Sequence, residues 1–138
     1  VPGGSKSRPY KRIPKFIYEK IIKFLLRKKI KPILVGSDDD KKICSQLSSI
    51  SKEILNLCTI TSIGQIFFLA KHSSLSVGND TGPMHIIARG NNKTIVFFTK
   101  FSNPKLCKPT GMDVEIFQYS DNDSDFFLTV KKSLQKCL

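Results

Sequence analysis

A chain of 138 residues, 40% hydrophobic and 25% charged, has room for one core and too little for two, so a single domain over 1–138 is expected. No apolar run is long enough to cross a bilayer, and the basic opening "VPGGSKSRPYKRIP" lacks the apolar stretch of an export signal, which points to a soluble, cytoplasmic protein. The net charge of +12 is concentrated in residues 1 to 31, where eleven Lys or Arg face Glu19 alone; the block suits phosphates or anionic head groups, yet it is mostly Lys, without aromatic interleaving or a helix-turn-helix pattern, and reads first as a solvated face rather than a nucleic-acid surface.

The chain opens inside a glycine-rich turn, "VPGGS". A doubly wound domain begins with a buried strand feeding such a turn, so the chain reads as part of a longer protein with its first strand upstream. Helical spacing follows in Phe16, Ile17, Ile21, Phe24 and Leu25, with Pro14 suited to the first turn. A strand "KPILVG" (31–36), a helix from 39 to 50, a strand "EILNLC" and a helix from 62 to 72 come next. The strand "SLSVG" then leads into a short helix from 83 to 89, and "KTIVFF" (93–98) is a buried strand. After an irregular loop (99–111) come a weaker strand "VEIFQ" and a closing helix from 124 to 137. Short strands alternating with helices imply β-α-β units, hence an α/β, Rossmann-like, doubly wound parallel sheet. Cys44, Cys58, Cys107 and Cys137 lie far apart without a C-x-x-C pair, so reduced thiols are expected rather than a zinc site or a disulfide framework.

In such sheets ligands bind beyond the carboxyl ends of the strands. The segments arriving there are "PGGSKS", "GSDDD", "TITS" and "GNDTGPMH". The last combines a helix start, where N–H groups and a partial positive charge favour anions, with Gly82 for close backbone approach, the Thr81 hydroxyl and the His85 imidazole. Asp80 would repel a phosphate, which leaves two roles: bracing the loop through backbone N–H groups, or accepting hydrogen bonds from hydroxyls beside the phosphates. A sugar diphosphate satisfies all four residues.

"PGGSKSRPYK" offers the hydroxyls of Ser5 and Ser7 and the amine of Lys11, but fits neither the P-loop nor the dinucleotide fingerprint, against an ATPase or a classical NAD enzyme. The acids of "SDDD" suit an N-cap and a first helical turn better than a metal site, and one of them could hold ribose hydroxyls. His72 reads as a C-terminal charge partner of its helix. Phe97, Phe98 and Phe101 read as core and loop packing.

In order and spacing, "PGGSKSRPYKRIP", "PILVGSDDD", "GNDTGPMHIIARG" and "KTIVFFT" resemble the C-terminal half of the ADP-heptose:lipopolysaccharide heptosyltransferases, glycosyltransferase family nine. The resemblance covers residues 1 to about 112, and "GNDTGPMH" is its most specific block. It implies a GT-B fold of two Rossmann-like domains, this one holding the ADP-sugar and an N-terminal one, outside the chain, holding the acceptor and the catalytic base. It implies inverting, metal-independent transfer of heptose to the lipopolysaccharide inner core, with no cofactor; the basic stretch would then also serve to hold the enzyme near the inner leaflet, where the lipid acceptor resides. Ser5, Ser7 and Lys11 then match contacts to the diphosphate. Asp80, Thr81, Gly82 and His85 match the donor-sugar and phosphate loop. Asp40, with Asp38 as substitute, falls at the ribose acid, and Thr61 beside the adenine. Lys11 and His85 would stabilise the leaving nucleoside diphosphate. "IARGNN" and Ile13 depart from the family pattern, where an Ala-rich continuation and Trp are usual, which leaves the sugar open. The alternatives are another GT-B nucleotide-sugar enzyme, such as a second sugar transferase or an epimerase, and a non-catalytic basic domain docking on anionic membrane or nucleic acid.

Overall fold

A computed structural model describes residues 1–90 and 92–138. After a single 3-10 turn at Pro9–Lys11, the elements run α1 (Lys15–Arg27), β1 (Ile33–Leu34), α2 (Lys41–Ser48), β2 (Leu55–Asn56), α3 (Ile63–His72), β3 (Leu75–Asn79), α4 (Gly82–Ile87), β4 (Lys93–Phe98), α5 (Pro104–Cys107), β5 (Val114–Gln118) and α6 (Phe126–Cys137). Every strand pairing is parallel. β1 pairs with β2, and β4 lies between β3 and β5.

Burial on both faces explains the apolar run of β4. Ile95 and Phe97 point into a cluster built with Ile17, Ile21 and Leu25 of α1, Leu47 of α2, and Phe126, Val130 and Leu134 of α6. Val96 and Phe98 point the other way, against Ile66 and Ala70 of α3 and Met84 and Ile87 of α4. The alternation is the strand period of two, and a helical layer covers each face, so the α/β doubly wound expectation holds. Phe97 and Phe98 are core, as expected, while Phe101 is exposed and meets Tyr10 edge-on at 5.1 Å.

The first two strands are shorter than the expected 31–36 and 53–58. Pro32 has no N–H to donate, and the ladder continues past the two-residue cores only through alternate bonds, Leu55 N–H to Pro32 O (3.0 Å), Leu57 N–H to Leu34 O (2.8 Å) and Thr59 N–H to Gly36 O (2.8 Å). α2 starts at Lys41 rather than 39, because Ser37 and Asp40 close a capping box around a 3-10 turn at Asp38–Asp40. α3 starts as expected, with Ser62 and Gln65 capping each other reciprocally. α4 ends early in a 3-10 turn, Ala88–Gly90, where a Cβ on Gly90 would stand 3.0 Å from the Lys71 nitrogen. The close approach of α3 and α4 therefore depends on glycine. The loop from 99 to 111 contains α5, capped by the Asn103 side chain accepting from Lys105 N–H at 2.9 Å.

Candidate functional site

At the carboxyl end of β3 the backbone turns sharply into α4. Asn79 closes the strand fully buried, and its side chain ties the N-terminal loop down: Nδ2 donates to Pro2 O (2.9 Å) and Gly3 O (2.8 Å), and Oδ1 accepts from Tyr18 OH at 2.8 Å. Burial raises the Tyr18 phenol well above its ordinary value, so it stays a donor. "PGGSKS" and "GNDTG", far apart in sequence, are thus held side by side.

Asp80 follows. Its N–H donates to Phe97 O at 2.9 Å, and its buried carboxylate accepts from Lys11 Nζ at 2.9 Å and from the Ser102 hydroxyl. Thr81 is the N-cap of α4 in extended geometry, yet its hydroxyl makes no cap bond and reaches back to Asn79 O at 3.3 Å. These residues open onto a cavity of about 310 Å³ lined by Ser5, Arg8, Lys11, Arg12, Asp80, Thr81, Gly82, His85, Gly4 and Cys107. Three permanent cations thus share the cavity with one carboxylate, which gives it a positive field suited to phosphate groups. Arg12 crosses the loop, donating to Gly4 O and standing 3.9 Å from Asp40, while its buried Nε has no hydrogen-bond partner among the described residues.

Of the residues singled out from sequence, Ser5, Lys11, Asp80, Thr81, Gly82 and His85 line this cavity together. Ser7 is not in its wall, but its hydroxyl bonds that of Ser5 at 2.7 Å. Asp40 is placed differently from the expectation. It is buried, with Oδ1 accepting from Gly4 N–H (2.8 Å) and Oδ2 from the Ser37 N–H (2.8 Å) and hydroxyl (3.1 Å). The loops have closed on it: a Cβ on Gly3 would fall 1.7 Å from its Oδ1 and one on Gly36 2.7 Å from its Cβ. This carboxylate braces the two loops, with a backbone N–H on each of its oxygens. Asp38 is exposed and bonded to Lys41 at 2.7 Å, whose hydrogen bond and charge hold its carboxyl below the ordinary range. Thr61 stands outside the cavity, its hydroxyl toward Leu57 O at 3.4 Å. His72 ends α3 and packs against Phe68 at 4.4 Å.

Sequence reasoning missed Asn79, Arg8, Arg12 and Ser102. Arg8 and Arg12 lay in the quoted basic stretch, but nothing local distinguished them from solvated Lys. Asn79, a polar residue ending an apolar strand just before the motif, was a readable signal. Among the described residues no group of three or more His, Cys, Asp or Glu converges as a metal site would, and no helix is long and apolar enough to cross a membrane.

Over residues 1–136 the sequence matches the family model described as glycosyltransferase family 9 (heptosyltransferase). It is 28% identical over 124 residues to lipooligosaccharide heptosyltransferase 2 of Haemophilus ducreyi, across 86% of this chain and 36% of that protein. Among solved structures it is similar to ADP-heptose lps heptosyltransferase II of E. coli, with a TM-score of 0.86 at 21% identity over 99% of this chain and 44% of that one. It is also similar to E. coli heptosyltransferase WaaC with ADP, with a TM-score of 0.82 at 17% identity over 100% of this chain and 46% of that one. The chain spans less than half the length of these relatives.

Proposed function

The chain belongs to glycosyltransferase family 9 (heptosyltransferase), and from that premise we propose that it forms the nucleotide-sugar half of a two-domain, GT-B transferase. The proposed reaction is inverting, metal-independent transfer of heptose from ADP-heptose to the lipopolysaccharide inner core. The acceptor and the catalytic base belong, in this reading, to an N-terminal domain outside the 138 residues. Work at the cytoplasmic face of the inner membrane follows from the lipid nature of that acceptor. The exposed face of α1 and α6 supports such contact, because Lys20 Nζ sits 5.3 Å from the Phe16 ring and 5.6 Å from the Phe127 ring, a cation among aromatics at the surface.

The observation that carries the donor-side reading is the cavity in which Arg8, Lys11 and Arg12 surround Asp80. When the bond between the anomeric carbon and the diphosphate oxygen breaks, negative charge grows on the leaving diphosphate. Lys11, His85 and the arginines line the cavity where that charge would grow, and donors already positioned there stabilise it without reorganising. Lys11 would exchange its bond to Asp80 for one to phosphate. Ser102 would keep the carboxylate in place, with Asp80 Oδ1 left to accept from a sugar hydroxyl. Ser5, with Ser7 behind it, and Thr81 supply neutral donors to the same group. Thr61, across the loop ahead of α3, is the proposed flank of the adenine, and E. coli WaaC, solved with ADP and with ADP-2-deoxy-2-fluoro heptose, supports the nucleotide class.

Calorimetric titration with ADP, UDP and GDP, each with and without EDTA, tests this reading. Preferential, EDTA-insensitive binding of ADP that disappears in Lys11→Ala is expected. A preference for UDP would move the function to another nucleotide-sugar transferase or an epimerase. No binding by folded protein would overturn the donor-site reading.

A further inference from the structure

A nucleotide sugar is a linear ligand, so the direction in which it crosses the cavity decides which residues its sugar meets. The contacts around the cavity form a row along the carboxyl ends of the strands. Asp40, after β1, accepts from Gly4 N–H at 2.8 Å; a Cβ on Gly4 would stand 3.0 Å from the Thr81 methyl; and Asp80 takes the Ser102 hydroxyl from the loop after β4. The loop after β2 extends the row on the β1 side, since Thr59 N–H donates to Gly36 O at 2.8 Å and the Cys58 thiol to Ser37 O at 3.3 Å. Ligands of such sheets lie across these strand ends. On the donor-site reading, on which this inference rests, the diphosphate sits among Arg8, Lys11 and Arg12 and the nucleoside runs toward Thr61. The sugar therefore leaves the cavity on the opposite side, at the carboxyl end of β4.

The segment 99–107 stands there. It borders the cavity through Cys107 and bonds Asp80 through Ser102. Tyr10 and Phe101 are the residues immediately before Lys11 and Ser102, which both bond Asp80 Oδ2, so the two aromatics are carried to the rim of the cavity together. A second tie fixes them: the Thr99 hydroxyl donates to Tyr10 O at 3.0 Å and accepts from Phe101 N–H at 3.4 Å. The rings meet at 5.1 Å with an interplanar angle of 60°, yet Tyr10 is 49% and Phe101 56% exposed. Packing against each other thus leaves about half of this paired aromatic surface in water. Lys100 Nζ lies 5.2 Å from the Phe101 ring centroid and adds an amine beside it.

We propose that Tyr10 and Phe101 form the subsite for the transferred sugar, a platform against which the C–H face of the donor's pyranose ring packs. A pyranose carries its hydroxyls around the edge and presents C–H groups, polarised by neighbouring oxygens, over its faces. An aromatic face offers the negative part of its quadrupole and makes no hydrogen-bonding demand, so the two surfaces match. Recognition is then divided among three groups: the cations take the diphosphate, Asp80 Oδ1 accepts from a sugar hydroxyl, and the rings take the apolar face. Aromatic area with a few placed polar groups is the usual make-up of a small-molecule site. The platform determines specificity, because it favours a nucleotide sugar over the bare nucleotide and touches neither the base nor the phosphates.

Calorimetric titrations of the 138-residue chain with ADP and with ADP-heptose test the assignment. Phe101→Leu and Tyr10→Leu, surface changes that keep apolar bulk, are each expected to weaken ADP-heptose binding by roughly three- to tenfold, the worth of one aromatic contact, and to leave ADP within about twofold. Phe101→Tyr keeps the ring and should bind both ligands as the parent does. Equal losses of ADP and ADP-heptose in Phe101→Leu would overturn the assignment, because the change would then act on the diphosphate through Ser102 and Asp80. Unchanged ADP-heptose binding would overturn it too, and a raised acceptor KM for that variant in the whole transferase would in that case set the rings against the acceptor. Failure of the folded parent chain to bind ADP is a separate result: it removes the donor site itself, and this subsite with it.

Discussion

Asp80 and Asp40 are both buried carboxylates at loop ends, and their surroundings separate their roles. Asp80 has a cation and a hydroxyl on one oxygen and a cavity before it; Asp40 is closed in by backbone N–H groups. In the whole transferase, Lys11→Ala and His85→Ala are each expected to lower turnover by roughly ten- to a thousandfold, the usual effect of deleting one electrostatic donor, as steady-state assays with ADP-heptose would measure. Gly3→Ala should instead destabilise, by about 2 kcal/mol or more in urea unfolding, since its Cβ would overlap Asp40. Gly82→Ala meets nothing within 4 Å and is expected to unfold at nearly the same urea concentration as the parent chain.

Element by element, the periodic apolar segments were the legible part. The alternation within "KTIVFF" and the helical spacing of α1 follow from which face must leave water, a local property of the sequence. What was not legible was where the short strands stop, because β1 and β2 end through Pro32 and alternate ladder bonds rather than through a turn signal. Asn79 shows the cost of one buried polar tie: Asn79→Ala strands the Pro2 and Gly3 carbonyls and leaves the Tyr18 hydroxyl only its longer bond to Val1 O at 3.3 Å. A loss of about 2 to 4 kcal/mol is expected by chemical denaturation. Tyr18→Phe, which leaves the amide its other partners, should cost about 1 kcal/mol. In the double variant the second change should add little, as is usual for contacting residues.

For the molecule as a whole, the motif order disclosed the fold and the cavity's location, since "GNDTGPMH" sits where any doubly wound sheet presents its ligand site. Its chemistry was only half readable. Lys11 and Ser102 reach Asp80 across the fold, and no short window of sequence contains both ends of such contacts. The same distances fix when the site comes into being. Lys11 and Asp80 are 69 positions apart and Asn79 and Pro2 are 77 apart, so nothing resembling the cavity exists until the start of the chain has found its middle. Contacts of such long sequence separation form late and slowly. In a refolding experiment, competence to hold a nucleotide should therefore emerge with the slowest structural phase, trailing the appearance of helix.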